Sequence, residues 1–290
     1  MRTQFICVGL IAAAIFYPSS SNAQSVALLA RHSPNIPFHL ASGYLIVVEG
    51  TIGNSEHLKF VIDTGTTRTC IDLRLARQLG LSLEPRAALR FNRVIRMNSA
   101  HLPSLTLGPL RADNFAIDVA DLSHVGRSAI QVSGIVGLDV LEPFPFQIDY
   151  EQMQIAFGPL SPLAESAAMD SVPWLPVVSL GFNRSESRLL VDTGAHHNVL
   201  YYEKLQGPAD NWKLLGTETW GDSIGGLVKA RKAVFQGAAL GSDRGYHEVY
   251  FIHAPRNDPL PTVDGVLSPV AFGIRQIGFD FDRHIVTWTR

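Results

Sequence analysis

Two short motifs, Asp63-Thr64-Gly65 and Asp192-Thr193-Gly194, carry the clearest chemical signal in this chain. They lie 129 positions apart. Each follows an apolar run, at 60–62 and at 189–191, that predicts a buried strand. An ionised carboxylate is costly when it lies alone at the end of a buried strand. Two acids in such matched surroundings therefore indicate that the acids meet and share one task.

A pair of adjacent carboxyl groups predicts acid–base chemistry. If Asp63 and Asp192 lie within about 3 Å of each other, two like charges cannot coexist there and one proton is shared. The pair then titrates as a unit, with one group ready to accept a proton and the other ready to donate one. A water molecule held between them could attack a peptide carbonyl without a metal ion or a covalent intermediate.

The other residues of the two motifs have predictable supporting roles. Gly65 and Gly194 allow a tight turn at each strand end and present an amide to the carboxylate. Thr64 and Thr193 are expected to hydrogen-bond the opposite loop, which would lock the two turns together.

The positions that follow the motifs differ between the two copies. Thr66 follows the first motif, and its hydroxyl is expected to hydrogen-bond Asp63 and favour the ionised form of that carboxyl. Ala195 follows the second motif and offers no such donor. His196 and His197 come next and are interpreted as polar surface residues, although they would bias the acid pair if protonated.

The similarity between the two copies extends well beyond the acids. Ile135-Val136-Gly137 corresponds to Val266-Leu267-Ser268, and Ile148-Asp149-Tyr150 corresponds to Phe279-Asp280-Phe281 at the same shift. A repeat of this length, present twice, is too long and too rare for a solenoid unit. The pattern therefore predicts two homologous lobes.

Strand signals dominate the elements that must position these residues. Hairpins are predicted at 44–62 and 176–191, each leading into one of the acids. Short helices are expected only after each motif, at 72–79 before Gly80 and at 202–206 before Gly207. The sequence therefore predicts an all-β protein with few short helices.

The domain organisation follows from composition and from the repeat. Residues 1–23 have the three parts of a secretory signal peptide with cleavage after Ala23, and a retained membrane anchor is the alternative. The predicted units after it are an N-terminal lobe at 24–160, a linker at 161–174 and a C-terminal lobe at 175–290. We expect an exported protein, periplasmic or secreted, with no stable membrane insertion after cleavage.

The bulk composition excludes several classes of partner. A formal net charge of −2 gives no basic surface for nucleic acid. Cys7 leaves with the signal, so Cys70 remains as a single thiol and is interpreted as buried and inert. His247-Glu248 lacks a second histidine four residues later, so no metal or cofactor is expected. A duplicated chain carries both halves of a site, which predicts a monomer.

The doubled Asp-Thr-Gly motif, each copy followed by an aliphatic run of the type Ile135-Val136-Gly137, resembles the aspartic peptidases, the group of pepsin and the retroviral proteases. More narrowly, the chain is similar to bacterial retropepsin-like proteins that carry both halves in one polypeptide. The resemblance implies a bilobal, all-β acid-protease β-barrel fold with pseudo-twofold symmetry. It also implies a cleft for an extended peptide or protein substrate, and Asp63 and Asp192 as the catalytic pair of an aspartic endopeptidase.

The resemblance carries further expectations about the surroundings of the dyad. In the family, the aliphatic-Gly segment passes behind the catalytic loop. Ser268 stands where Gly137 stands in the first half, so the second half is expected to pack differently. The family closes a hairpin flap over its substrate, and the candidates here are 93–100 and 220–228, the latter with Trp220, Gly225 and Gly226.

Two alternatives from other functional classes stay open at this point. One keeps the fold without catalysis and binds an extended peptide by strand addition. The other is a serine hydrolase that uses Ser223 in Gly221-Asp222-Ser223-Ile224-Gly225, a pattern that requires a strand before the serine and a helix after it. For the peptidase interpretation, an extended inhibitory pro-segment is not expected, although the segment 24–39 could still lie across the cleft.

Overall fold

Strands make up most of the described chain, as the short apolar runs broken by Gly, Pro and Asn predict. The computed structural model describes residues 7–8, 25–29, 35–90, 93–125, 130–170, 175–182, 185–204, 212–222, 227–236, 238–239, 246–253 and 263–290. The strands of the first half are β1 (Cys7–Val8), β2 (Ser25–Leu28), β3 (Asn35–Pro37), β4 (His39–Ala41), β5 (Leu45–Ile52), β6 (Ser55–Ile62), β7 (Cys70–Asp72), β8 (Glu84–Arg90), β9 (Arg93–Leu107), β10 (Leu110–Ala120), β11 (Gly134–Val136), β12 (Phe146–Asp149) and β13 (Gln154–Phe157). The strands of the second half are β14 (Glu165–Ala168), β15 (Val177–Phe182), β16 (Ser185–Val191), β17 (Asn198–Tyr201), β18 (Trp212–Asp222), β19 (Leu227–Gln236), β20 (Ala238–Ala239), β21 (Tyr246–Ile252), β22 (Gly265–Leu267), β23 (Gln276–Asp280) and β24 (Ile285–Thr289).

Helical structure among the described residues is limited to short pieces after the functional loops. These pieces are α1 (Leu73–Gln78), α2 (Leu138–Leu141) and one 3₁₀ turn at Tyr202–Lys204. The helix predicted at 72–79 is α1, which Asp72 caps by accepting a hydrogen bond from the Arg74 N–H. The helix α2 was not predicted from the sequence. The all-β class is confirmed and agrees with an acid-protease fold.

Two nine-stranded sheets repeat one arrangement. The first runs β2-β10-β7-β11-β6-β5-β9-β8, with β4 paired to β5, and the second runs β1-β18-β19-β21-β17-β22-β16-β15-β20. In each sheet, a short central strand runs parallel to the strand that leads into a motif. These pairs are β6 with β11 and β16 with β22.

A third sheet takes strands from both halves, in the order β14-β24-β23-β12-β13-β3. Its centre is the antiparallel pair β12–β23, where the rings of Phe146 and Phe279 stack with their centroids 5.0 Å apart. Residues 165–168 of the predicted linker form β14 and pair with β24, so this part of the linker is an ordered edge strand. The sheet joins the two halves into one hydrophobic core.

The N-terminal segments lie along sheet edges. Of the predicted signal peptide, Cys7 and Val8 are described, and they pair in parallel with Gly221 and Asp222. Further on, β2 pairs with β10 and β3 pairs with β13. The described parts of the segment 24–39 therefore add to existing sheets. Within the described ranges, no helix is long and apolar enough to cross a membrane.

Candidate active site

Each acid lies at the end of a strand that is buried on both faces. Phe60, Val61 and Ile62 are almost completely buried, and the Asp63 amide that follows donates to the Val136 carbonyl at 3.1 Å. In the second half, the Asp192 amide donates to the Leu267 carbonyl at 2.9 Å. The two aliphatic segments therefore lie directly beside the strands that carry the acids, as the resemblance implies.

The two threonines join the loops through a symmetric set of hydrogen bonds. The Thr64 hydroxyl donates to the Val191 carbonyl at 2.7 Å, and the Thr193 hydroxyl donates to the Ile62 carbonyl at 2.9 Å. Each hydroxyl also accepts from the backbone amide of the opposite threonine at 3.1 Å. All four groups are buried, so these bonds fix the relative position of the two strand ends.

The two glycines bring each loop against the opposite carboxyl group. A Cβ atom at Gly65 would lie 2.5 Å from Asp192 Oδ2, and one at Gly194 would lie 2.7 Å from Asp63 Oδ2. The Gly65 amide donates to Asp63 Oδ1 and the Gly194 amide donates to Asp192 Oδ1, both at 2.8 Å. Glycine is therefore required at both positions, because any side chain would occupy the space of a carboxylate.

The two carboxyl groups are buried and in hydrogen-bonding contact. Asp63 is 2% exposed and Asp192 is 0% exposed. Burial raises the pKa of Asp63 to about 7, and hydrogen bonds from Asp192 and Gly65 oppose this rise. Burial, followed by the charge of Asp63, raises the pKa of Asp192 well above its ordinary value. Two like charges in contact disfavour full ionisation, so the pair keeps a shared proton near neutral pH, and the order of the two shifts favours Asp192 as its carrier.

One carboxylate oxygen offers a place for this proton. Within the described part of the chain, no N–H or hydroxyl group donates to Asp192 Oδ2, although this atom is fully buried. A bare carboxylate oxygen in such a place would be costly, whereas a protonated one can donate to Asp63.

The expected role of Thr66 is wrong. Its hydroxyl donates to the Arg68 carbonyl at 3.3 Å, so the charge preference of the pair does not come from Thr66. The preference for Asp63 as the ionised partner has a different source: the hydrogen bond between the two acids lowers the pKa of Asp63 and raises that of Asp192.

The surface interpretation of His196 and His197 is also wrong. Both rings are partly buried in a row of aromatic contacts, in which centroids are 4.5 Å apart for Tyr44–His196, 4.1 Å for His196–His197 and 4.4 Å for His197–Tyr250. Burial lowers the pKa of both histidines, that of His197 to about 3. They are therefore neutral at physiological pH and do not bias the dyad by charge.

Sequence reasoning missed Tyr150, which lies at the end of β12. Its hydroxyl is buried and has no hydrogen-bond partner among the described residues. Burial and the charge of Asp192 raise the pKa of this phenol. The only available signal was its place in the repeat, where Phe281 is the counterpart.

The loops are supported by side chains that the sequence did not single out. In the first half, Thr69 Oγ1 accepts from the Gly137 amide at 3.2 Å and donates to Asp139 Oδ1 at 2.7 Å. In the second half, Asn198 Oδ1 accepts from the Ser268 amide at 3.0 Å. Burial raises the pKa of Asp139 to about 6, against the opposing effect of the Thr69 donors.

The candidate flaps are partly described. The first is the hairpin of β8 and β9, and the second is the hairpin of β18 and β19, in which Trp220 pairs with Val228. Gly225 and Gly226 lie outside the described residues, as does Ser223. The serine hydrolase pattern requires a helix after Ser223, whereas the next described element is the strand β19.

The ring of His247 stacks on Phe272, with centroids 4.0 Å apart. The described parts of the chain hold no group of three or more His, Cys, Asp or Glu residues placed to bind a metal ion. Cys70 is buried, as expected from its apolar surroundings.

Comparison with known families supports this picture for part of the chain. Residues 48–140 match the family model described as aspartyl protease. The match contains Asp63-Thr64-Gly65 and the segment Ile135-Val136-Gly137, and it supports a peptidase relationship for the first half. Asp192 lies outside the matched residues. No curated protein matches the chain.

Proposed function

We propose that the protein is an aspartic endopeptidase in which Asp63 and Asp192 activate one water molecule against a peptide bond. The observation that carries the proposal is the contact between two buried carboxyl groups at the ends of equivalent strands. Burial raises the pKa of both groups, and the opposite effects of their mutual hydrogen bond favour one ionised and one protonated group. The aspartyl protease match of residues 48–140 supports the same class of hydrolase.

The chemistry follows from the protonation states. The ionised Asp63 accepts a proton from water as the water oxygen attacks the carbonyl carbon. Asp192 donates its proton to the carbonyl oxygen, so negative charge does not accumulate on that oxygen. The tetrahedral intermediate then breaks its C–N bond as Asp63 passes its proton to the leaving nitrogen and one hydroxyl group of the intermediate returns a proton to Asp192. The threonine bonds hold both acids in place during this exchange, because displacement of either loop would alter the distance between them.

The proposed substrate is an extended peptide or protein segment, and the proposed active form is a monomer. The internal repeat supports the monomer, since one chain supplies both acids.

We further propose that the protein is exported after cleavage of the signal peptide following Ala23. The mass of the protein recovered from culture medium and periplasm would test the cleavage site, and a protein that keeps residues 1–23 would contradict it.

The decisive experiment is digestion of a diverse peptide mixture by the parent and by Asp63→Asn and Asp192→Asn. We expect cleavage in either variant to be at least about a thousandfold below that of the parent, because each variant removes one of the two proton-transfer roles and the reaction needs both. Asp113→Asn is the matched control, since Asp113 is a partly exposed acid on β10 that pairs with Arg111. Cleavage that survives in both dyad variants would contradict the proposal. Peptide retention without cleavage by the parent would instead support the binding alternative.

A further inference from the structure

The strongest difference between the two catalytic loops concerns the carbonyl group that follows each motif. In the first half, the Thr66 carbonyl accepts a hydrogen bond from the Leu138 amide at 2.9 Å. The corresponding residue in the second half is Pro269, which has no N–H to donate. The Ala195 carbonyl would therefore lose its backbone donor at a buried position, which is costly.

Ser268 supplies the missing donor. Its hydroxyl donates to the Ala195 carbonyl at 2.8 Å and accepts from the Ala271 amide at 3.2 Å. Ser268 and Ala195 are both buried, so water does not compete for these bonds. One side chain thus replaces the Leu138 amide and also caps the turn that follows it.

The two halves also differ at the residue before Leu138 and Pro269, which is Gly137 in the first half and Ser268 in the second. A Cβ atom at Gly137 would lie 2.8 Å from the Arg68 carbonyl carbon and 2.9 Å from the Thr66 carbonyl oxygen. The first half therefore needs glycine so that its backbone can approach closely and the Leu138 amide can reach Thr66. In the second half, Ser268 has a side chain, and its hydroxyl makes the hydrogen bond to Ala195 that corresponds to the bond between the Leu138 amide and Thr66.

The Ala195 residue connects this bond to the dyad. Its amide donates to the Asp192 carbonyl at 3.3 Å and also interacts with the Asp192 carboxyl group, which lowers the pKa of that acid. The backbone angles of Ala195 set the direction of this amide, and its carbonyl is held by Ser268. Asp63 and Tyr150 are the other titratable groups that interact with Asp192.

We propose that Ser268 is a positioning residue for Asp192: its hydroxyl holds the Ala195 carbonyl, and through it the amide that faces the Asp192 carboxyl, in place of the backbone donor that Pro269 lacks. This inference rests on the proposed peptidase function for its kinetic consequences. Its structural part concerns the Asp192 carboxyl group and stands apart from catalysis.

The experiment compares Ser268→Ala and Ser268→Gly with the double variant Ser268→Gly/Pro269→Leu, which installs the residue pair of the first half. Pro269→Leu alone is the matched control, because it keeps the hydroxyl. In Ser268→Ala and Ser268→Gly we expect kcat to fall about tenfold with little change in KM, since the loop and not the substrate contact is loosened. The alkaline limb of the pH profile moves up by about half a unit, because Asp192 loses a donor that favours its ionised form.

Carbon-13 NMR titration of the Asp192 carboxyl group in the unliganded protein gives a readout that does not depend on activity. We expect the same upward shift in Ser268→Ala, and a return to within about 0.2 units of the parent in Ser268→Gly/Pro269→Leu, because the backbone amide restored at position 269 again reaches the carbonyl. An unchanged titration in Ser268→Ala overturns the proposal. If Ser268→Ala does not fold, the double variant decides: a parental titration supports the proposal, whereas a shifted titration or failure to fold overturns it. A parent that titrates as expected and cleaves no peptide contradicts the proposed function alone.

Discussion

The residues packed behind the loop of Asp63 are charged, whereas those packed behind the loop of Asp192 are aromatic. We call these residues the outer layer, and the threonines and glycines that touch the two acids the inner layer. Asp118 lies beside the first loop, 2.6 Å from Arg86 and 3.6 Å from Arg68. In the register of the two sheets, the position of Asp118 is taken by Tyr250, whose ring faces His197. The layer that touches the dyad shows no such difference, because the threonine and glycine contacts are the same in both halves.

This contrast shows which parts of the site are fixed by geometry. Two carboxyl groups can share a proton only if their loops approach symmetrically, which leaves one solution for the threonines and the glycines. Further out, each half only has to satisfy its buried polar groups and fill its space. Ion pairs in one half and stacked rings in the other achieve this equally well.

The largest expected effect tests whether the inner layer is equivalent in the two halves. Gly65→Ala and Gly194→Ala should each lower kcat/KM by about a hundredfold or more, because the new Cβ atom displaces the opposite carboxyl group. Peptide cleavage by the folded variants is the measurement. Gly278→Ala is the control for the clash itself, since its Cβ atom would lie 2.7 Å from Thr287 Oγ1 in the third sheet, away from the dyad. A loss confined to one of the two motif variants would show that the halves are not equivalent.

The second prediction concerns the difference in the outer layer. Asp118→Asn should lower the free energy of unfolding by about 3 kcal/mol, because two partly buried guanidinium groups lose their carboxylate. Tyr250→Phe keeps its ring contact with His197 and loses the hydroxyl bond to Glu248, so its cost should be about 1 kcal/mol. Urea unfolding of both variants measures the two values. Equal costs would mean that the ion pairs in the first half add nothing beyond packing.

The third prediction concerns the cost of the buried acids. Their folded-state pKa values are raised, so the folded state binds protons more tightly than the unfolded chain does. The resulting stabilisation is complete below pH 3.8 and is lost as the pH rises through about 7. Asp63→Asn and Asp192→Asn should therefore match the parent near pH 3.5 and exceed its unfolding free energy by on the order of 2 kcal/mol at pH 7.5.

Chemical unfolding across this pH range tests that prediction, with Asp113→Asn as the surface control. We expect a similar gain from either dyad variant, because the charge cost belongs to the pair. A difference from the parent that stays constant with pH would contradict the raised pKa values.

The sequence was sufficient for the inner layer of the site and insufficient for the outer layer. Motif chemistry and the apolar runs before each acid predicted the strand ends from neighbouring residues, and the repetition of the motif predicted that the two threonine loops meet. The network of Arg86 and Asp118 and the stacking of Tyr44 on His196 depend on strands that are far apart in sequence and meet only through sheet pairing. The role of β14 inside the predicted linker was missed for the same reason, since a short strand of small residues gives little periodic signal.

The smallest expected effect separates the two accounts of why Asp63 is the ionised acid. If the Thr66 hydroxyl stabilised the Asp63 carboxylate, Thr66→Ala would raise the pKa of Asp63 and move the acidic limb of the activity profile to higher pH. Because the hydroxyl donates to the Arg68 carbonyl instead, we expect that limb to stay within about 0.2 units of the parent. Ser268→Ala, assayed in parallel, should move the alkaline limb and so shows that the assay can detect such a shift. An upward move of the acidic limb in Thr66→Ala would restore the hydroxyl to the dyad. It would also make the charge preference a property of the residue after the motif, whereas an unmoved limb leaves it to the hydrogen bond between the two acids.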